Sequence, residues 1–394
     1  MIPQFDSASA QTRSKSALWR ACLGRALIAA VLVSFTLFSC ATEQSRRYSQ
    51  AEARSMLKRL ETVSLELGEY PIDGASSVLD GDTIRVKGLP ASLRLLGIDT
   101  EETFKKDKER AAFAAGWEEY KKKMRGSSPR PVKYATPLGE DAKHFAQAFF
   151  EDVREVRLER DHPGEIRDFY NRYLAYVFAK KNGNWVNYNV ECVRAGFTPY
   201  FVKYGRSRRF HKDFVDAEKE ARDAQRGIWK PGAMAYPDYD ERLKWWGERE
   251  AVITRFEKAA AEAPENFIAL TRWDAMLKLE GKVGTEVTIL GSVSDVKYSQ
   301  GNGPSVVKLA RSRTSDFDIV FFDRDVLLST GIQFKKSEYV QVRGTVQKYK
   351  NDKGWEKLQV VVSTPGQVLA PSSELEKLLT DDQKRAERES EEDD

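Results

Sequence analysis

Val78-Leu79-Asp80-Gly81-Asp82-Thr83, followed closely by Leu93-Arg94-Leu95-Leu96-Gly97-Ile98-Asp99-Thr100-Glu101-Glu102, is the stretch whose reading decides the fold. Its apolar alternation predicts strands around Gly74–Leu79, Thr83–Val86 and Ser92–Ile98, with Lys87-Gly88-Leu89-Pro90 as a turn. Asp82 and Asp99 then fall near the ends of adjacent strands, where both carboxylates can converge on one ion. A hard cation such as Ca²⁺ takes about six to eight oxygen ligands, so carbonyls, phosphate and water would complete the shell of such a pair. With an arginine and a third carboxylate close by, the stretch holds the parts that phosphodiester hydrolysis requires: metal ligands, a phosphate-binding cation and a group to activate water. An Asp-Gly-Asp taken alone reads as a turn with capping side chains, and Asp80 is assigned that structural role. No cluster of Cys and His offers a competing zinc site.

Further along, Asp168-Phe169-Tyr170-Asn171-Arg172-Tyr173-Leu174-Ala175-Tyr176 supplies a second arginine ahead of a strand, and Gln225-Arg226-Gly227-Ile228-Trp229 closes the region. In this order the segments resemble the thermonuclease, or staphylococcal-nuclease-like, phosphodiesterases over about Gly68 to Trp229, less than half the chain. The resemblance implies an α+β fold, a five-stranded OB-type barrel with three helices. It implies that Asp82 and Asp99 are the metal carboxylates with the Thr100 carbonyl beside them, that Glu102 positions and activates water, and that Arg94 and Arg172 bind phosphate. It also implies Ca²⁺ as cofactor, DNA and RNA as substrates, and 3′-phosphorylated products. Two departures stand out: Glu101 occupies a position where the family usually has proline, adding a negative charge near the metal, and Asn171 one where it often has glycine.

Around this region the chain divides as 1–39, 40–67, 68–232, 233–265, 266–371 and 372–394. Arg13, Lys15, Arg20 and Arg25 precede the uncharged run Ala26–Ser39, as in a secretory signal, and Leu37-Phe38-Ser39-Cys40 resembles a bacterial lipoprotein box with Cys40 as the lipidated residue. An exported cell-envelope protein, anchored to a membrane through its N-terminus, is the expectation. Residues 40–67 read as a tether with a short helix, Met56, Leu57, Leu60 and Val63 having helical spacing.

Within the nuclease-like region, the 104–136 insertion is Lys-rich, with Phe113, Trp117, Tyr120 and Met124 on one face of an expected amphipathic helix that either borders the active site or packs on the barrel. Helices are expected over Leu138–Val153, Val186–Ala195 and Phe210–Gln225, strands over Arg154–Arg160 and Tyr173–Lys180, and a tight turn at Asn182-Gly183. Tyr200 to Phe210 interleaves aromatics with cations. Lys203, Tyr204 and Arg206 are its candidate substrate contacts, single-stranded nucleic acid being the preferred partner, and a basic surface loop is the plainer alternative.

Tyr236–Ala263 reads as a linking helix, and the strand-like segments between Thr285 and Val362 as a second, small all-β barrel resembling OB-fold nucleic-acid-binding modules. There Tyr298, Phe321, Tyr349 and Trp355, with Lys297, Lys348 and Lys350, are either core or a stacking platform. The tail from Ser372 carries ten acidic and four basic residues and is expected to be disordered. Without residues 1–39, 60 basic residues stand against 59 acidic, so distribution matters more than net charge: Gly68–Lys230 holds 31 basic and 26 acidic residues. Lipidation of Cys40 would leave Cys192 as the sole thiol and no intramolecular disulfide.

The reading is an exported nuclease, with no obligate protein partner expected. A catalytically silent nucleic-acid-binding lipoprotein and an envelope scaffold are the alternatives. Retention of Arg94, Glu102 and Arg172 speaks against the first, and salt-dependent nucleic-acid binding would speak against the second.

Overall fold

The computed structural model describes residues 49–60, 64–128, 130–312, 315–350, 354 and 356–369. The expected signal, Cys40, Trp355 and the acidic tail lie outside them. A first helix, α1 (Gln50–Leu60), is where helical spacing placed it, and it packs against a helix at Ala275–Gly281 of the C-terminal region.

The first barrel opens with β1 (Glu66–Pro71), whose final proline cannot donate to a ladder. A 3₁₀ turn over Gly74–Ser77 follows, then β2 (Val78–Asp80), β3 (Thr83–Ile84) and β4 (Leu93–Leu95). The insertion forms α2 (Asp107–Ala114) and α3 (Trp117–Arg125) instead of one helix. Gly116, with φ +126°, breaks the helical path, and the bend folds Phe113 and Tyr120 around Phe104, with ring centroids 5.2–6.2 Å apart.

Then come α4 (Pro137–Phe150), β5 (Glu155–Glu159), β6 (Tyr173–Lys181), β7 (Asn184–Asn187), α5 (Tyr188–Arg194) and α6 (His211–Asp223). The second helix starts later than its sequence pattern suggested. Asn182 and Gly183 both have positive φ (51° and 84°), so the chain turns straight back on β6, and the helix begins only after Asn187, whose side chain accepts the Asn189 N–H.

Strand order is β1-β5-β6-β4-β3-β2, with β4 and β6 parallel. Since β1 and β2 are halves of one broken strand, the sheet returns on itself as an OB-type barrel. Ile84, Leu93, Leu95, Ile98, Val156, Leu158 and Val177 fill it, and Phe150, Tyr188, Phe214 and the thiol of Cys192 seal it from the helix side.

The linking helix α7 (Tyr239–Glu262) leads to β8 (Phe267–Ala269), α8 (Ala275–Gly281), β9 (Glu286–Lys297), β10 (Ser305–Ser312), β11 (Ser315–Phe321), α9 (Arg324–Thr330), β12 (Tyr339–Lys350), β13 (Glu356–Val361) and β14 (Val368–Leu369). Strands β9-β10-β11-β13-β12 close into a circle through the β12–β9 pairing, with β11 and β13 parallel, which is again the OB circuit. Gly291 allows the tight curl of β9, since a Cβ there would press on Leu270 and Leu309 at 2.9 Å. Phe321 belongs to the core of this barrel, whereas Tyr298 and Tyr349 are exposed at opposite ends, so these three aromatics do not form one platform. Among the described residues, no helix is long and apolar enough to cross a membrane.

Candidate active site

Strand pairing builds the site at the rim of the first barrel. Thr83 lies opposite Arg94, which sets Asp82 beside β4, and the loop leaving β4 brings Asp99 back to the same point. The Arg94 guanidinium touches Asp82 through Nη1 and donates to Asp99 through Nη2. All three side chains are largely shielded, with 12 %, 12 % and 4 % exposure. Burial alone would lower the Arg94 pKa, but the two carboxylates outweigh it and keep the guanidinium firmly cationic. Burial likewise raises Asp99, and Lys133 and Arg94 overcome it, leaving the carboxyl below its usual range.

Two further cations complete the cluster, and neither was anticipated from sequence. Lys133 Nζ is 2.5 Å from Asp99, and Lys105 Nζ bridges Asp80 (3.0 Å) and Glu102 (2.9 Å). Asp80 is therefore more than a turn residue: burial and the neighbouring Asp82 raise its pKa, and Lys105 partly offsets them. Lys105 has a short-range signal, lying three residues after Glu102. Lys133 has none, because it arrives through the insertion, whose end pairs with the Glu102 loop by an Ala135–Glu102 bridge and a Thr136 N–H to Glu102 carbonyl bond of 3.0 Å. The insertion does border the site, through this returning end. Glu102 itself sits at the mouth, 36 % exposed.

Glu101 corrects an expectation. It turns away from Asp82 and Asp99 and is 1 % exposed, accepting hydrogen bonds from the Thr136 hydroxyl, the Tyr236 N–H (2.6 Å) and the Tyr239 hydroxyl (2.8 Å). Burial pushes it up to about 7, and these bonds pull in the opposite direction. Tyr236 reaches further: its hydroxyl donates to the Tyr134 carbonyl at 2.8 Å and accepts the N–H groups of Tyr134 (3.1 Å) and Glu102 (3.4 Å). The loop that carries Glu102 is thus fastened to the entry of α7. On its other side lies the first turn of α4, where any side chain at Gly139 would collide with the Glu102 carbonyl.

Arg172 stands one residue before β6, the strand that pairs with Arg94's strand, and among the described residues it makes no contact with the Asp82–Arg94–Asp99 group. Asp168 holds it through Nε at 2.7 Å and Nη2 at 2.6 Å. The loop turns at Asn171, whose φ of +68° is a left-handed conformation that asparagine tolerates better than most residues, so it serves where glycine is common. Tyr170, overlooked in the sequence, is 64 % exposed with the Arg172 guanidinium 5.6 Å from its ring centre. Of the three loosely assigned substrate contacts, Arg206 is drawn away by Glu250 (2.6 Å), while Lys203 and Tyr204 stand within electrostatic range of Asp99.

A hard cation suits this donor set. Asp82 and Asp99 already converge on one positive group, and the adjacent Thr100 hydroxyl is buried without a hydrogen-bond partner among the described residues. Among those residues no cluster of three or more Asp, Glu, His or Cys side chains stands ready as a metal cage, so carbonyl, substrate and water oxygens would have to supply the rest.

Residues 92–231 match the family model described as staphylococcal nuclease homologue. A thermonuclease of Staphylococcus intermedius is 30% identical over 158 residues, covering 39% of this chain and 73% of that protein. A thermonuclease of Staphylococcus hyicus is 28% identical over 155 residues, covering 39% and 72%. An uncharacterized protein of Methanocaldococcus jannaschii is 28% identical over 205 residues, covering 52% of this chain and 93% of its own length.

Proposed function

The chain belongs to the staphylococcal nuclease homologue family, and from that premise we propose that it is a metal-assisted nuclease that hydrolyses DNA and RNA to 3′-phosphorylated products. The observation that carries this reading is the convergence of Asp82 and Asp99 on Arg94, with Glu102 at the open mouth beside them. Asp82, Asp99 and the Thr100 carbonyl would hold the cation, Ca²⁺ by family likeness. When bound it would supply a fixed positive charge that acidifies water and offsets charge on the phosphate.

The protein's own groups do the rest. Glu102 accepts the proton of a water placed in line with the phosphorus, the new P–O bond forms, and the bond to the 5′ oxygen breaks, that oxygen leaving with a proton from solvent. Arg94 touches its two carboxylates with two of five N–H donors and has others to offer a phosphoryl oxygen. Arg172, oriented by Asp168, would take a second one. Lys203 and Tyr204 would contact the adjoining nucleotide, with single-stranded chains preferred. Export through the N-terminal signal and anchoring through a lipidated Cys40 are part of the same proposal, which makes extracellular nucleic acid the substrate pool.

The test is cleavage of fluorescent single-stranded DNA and RNA by the purified chain in Ca²⁺, with EDTA and Glu102→Gln as controls. Cleavage abolished by both supports the reading. Salt-sensitive binding without cleavage would replace it with a silent binding protein.

A further inference from the structure

A strip of cations and aromatics runs from the candidate active site across segments that lie outside the barrel. Tyr204 is 63 % exposed, so its ring is open to an incoming base. Beside it, Lys203 Nζ lies 4.0 Å from the centre of the Trp245 ring on α7. Arg130, from the insertion, lies 5.3 Å from the same ring, and Arg249, one turn further along α7, lies 5.8 Å from it and 5.9 Å from Tyr204.

The charges on this strip are not balanced. Asp99 already serves Arg94 and Lys133, and Glu338, from the loop ahead of β12, already serves Arg130 (2.6 Å) and Arg249 (3.6 Å). Among the described residues no carboxylate lies within ion-pair reach of Lys203. Burial, Arg249 and Lys133 pull its pKa down to about 8, against the opposing pull of Asp99. Like charges held together at this density are relieved when an anion enters.

We propose that Arg130, Lys133, Lys203, Tyr204 and Trp245, backed by the buried Arg249, form an extended substrate groove that grips single-stranded nucleic acid beyond the scissile phosphate. Tyr204 offers a face to an unstacked base. Trp245 acts as a brace, its ring holding Lys203 and Arg130 in position and its Nε1 tied to Glu338 at 3.2 Å, so that the cations meet the next phosphates. The groove is assembled from the 200–210 segment, the insertion, α7 and the second barrel's 335–338 loop. The inference rests on the nuclease reading of the adjoining site and concerns chain length, which that site alone does not sense.

The experiment compares the full chain with its Trp245→Leu, Arg130→Ser and Lys203→Gln variants on a dinucleotide and on a 15-nucleotide single strand, each as DNA and as RNA. The ratio of kcat/KM between long and short substrates is expected to fall about tenfold in each variant, and the salt slope of 15-mer binding to become shallower by roughly one phosphate contact for the Arg130 and Lys203 changes. An unchanged ratio in Arg130→Ser and Lys203→Gln, both at partly exposed positions, overturns the groove. If the wild type cleaves neither substrate, the nuclease reading has failed on its own. Anisotropy with the labelled 15-mer then decides the groove: weaker binding with a shallower salt slope in the variants supports it, and unaltered binding overturns it. Equal binding of a 15-base-pair duplex would also overturn it, because paired bases cannot stack on Tyr204.

Discussion

The two barrels of this chain follow one strand circuit and differ in their first strand. In the second barrel, β9 runs unbroken through twelve residues and closes against β12, and its interior is aliphatic and aromatic. In the first, the equivalent strand is interrupted by Pro71 and a 3₁₀ turn, and only its short second half, β2, reaches the rim that carries Asp80 and Asp82. The second barrel's buried carboxylate, Asp318, spans neighbouring strands to Lys308 and Lys357, a cross-strand brace. The first barrel has such braces too, as Glu159 with Arg157 and Arg209, but it also gathers Asp82 and Asp99 at one end around Arg94, open to solvent at Glu102. A shared circuit therefore fixes where loops emerge, and chemistry depends on which loops carry charge.

The sharpest way to break that contrast is Glu102→Gln, expected to lower kcat by about 10²–10⁴-fold with no loss of thermal stability, measured by single-turnover cleavage beside calorimetry. A similar loss of stability in this variant would make Glu102 a brace like Asp318. Next come matched core truncations, Leu93→Ala in one barrel and Ile319→Ala in the other, both side chains being fully buried. Each should cost about 2–5 kcal/mol. Two separate unfolding transitions in chemical denaturation would mean that the barrels stand independently. One shared shift would mean that the junction made by α7 couples them.

Asp318→Asn should cost less, about 1–3 kcal/mol, and leave the cleavage rate of the folded protein intact. Tyr236→Phe removes only a hydroxyl that holds Tyr134 and the Glu102 N–H. Its expected effect is a kcat reduction of roughly tenfold with KM little changed. A rise in KM alone would show that the fastening does not set Glu102.

The smallest effect concerns acid. His162 is held at about 3, chiefly by burial and then by Arg272, Arg208 and Lys278 around it. A folded-state pKa below the unfolded one means that the unfolded chain binds the extra proton. The stability tied to neutral His162 is thus complete above about pH 6.5 and is lost as pH falls towards 3. His162→Gln should flatten the fall in Tm between about pH 6.5 and 4.5, and an unchanged slope would assign the acid sensitivity to carboxylates elsewhere.

Local pattern made much of this visible from the sequence. Asp82, Arg94 and Asp99 come together because strand alternation and one tight pairing fix their places, and both barrels could be read from alternation and turn residues. Gly116 splits the insertion helix although the apolar spacing runs straight across it. What stayed hidden depends on long-range closure. Glu101 finds Tyr236 and Tyr239 more than 130 positions away, and no local rule announces that the carboxylate next to Glu102 will face inward. Lys133 reaches Asp99 only because the insertion returns to pair with Glu102. Arg206 looked equivalent to Lys203 in sequence until α7 supplied Glu250 for one and Trp245 for the other.

Cys192 has its own consequence. Its thiol is sealed behind the first barrel with no exposed surface, and burial pushes its pKa up to about 12, so neither contact with solvent nor thiolate formation is available while the barrel is closed. A maleimide reaching Cys192 must therefore wait for the barrel to open. Mass spectrometry of that one peptide over time turns the residue into a clock for opening, and slowing of the clock by Ca²⁺ or by a nucleotide would reveal ligation at the rim without any bond being cut.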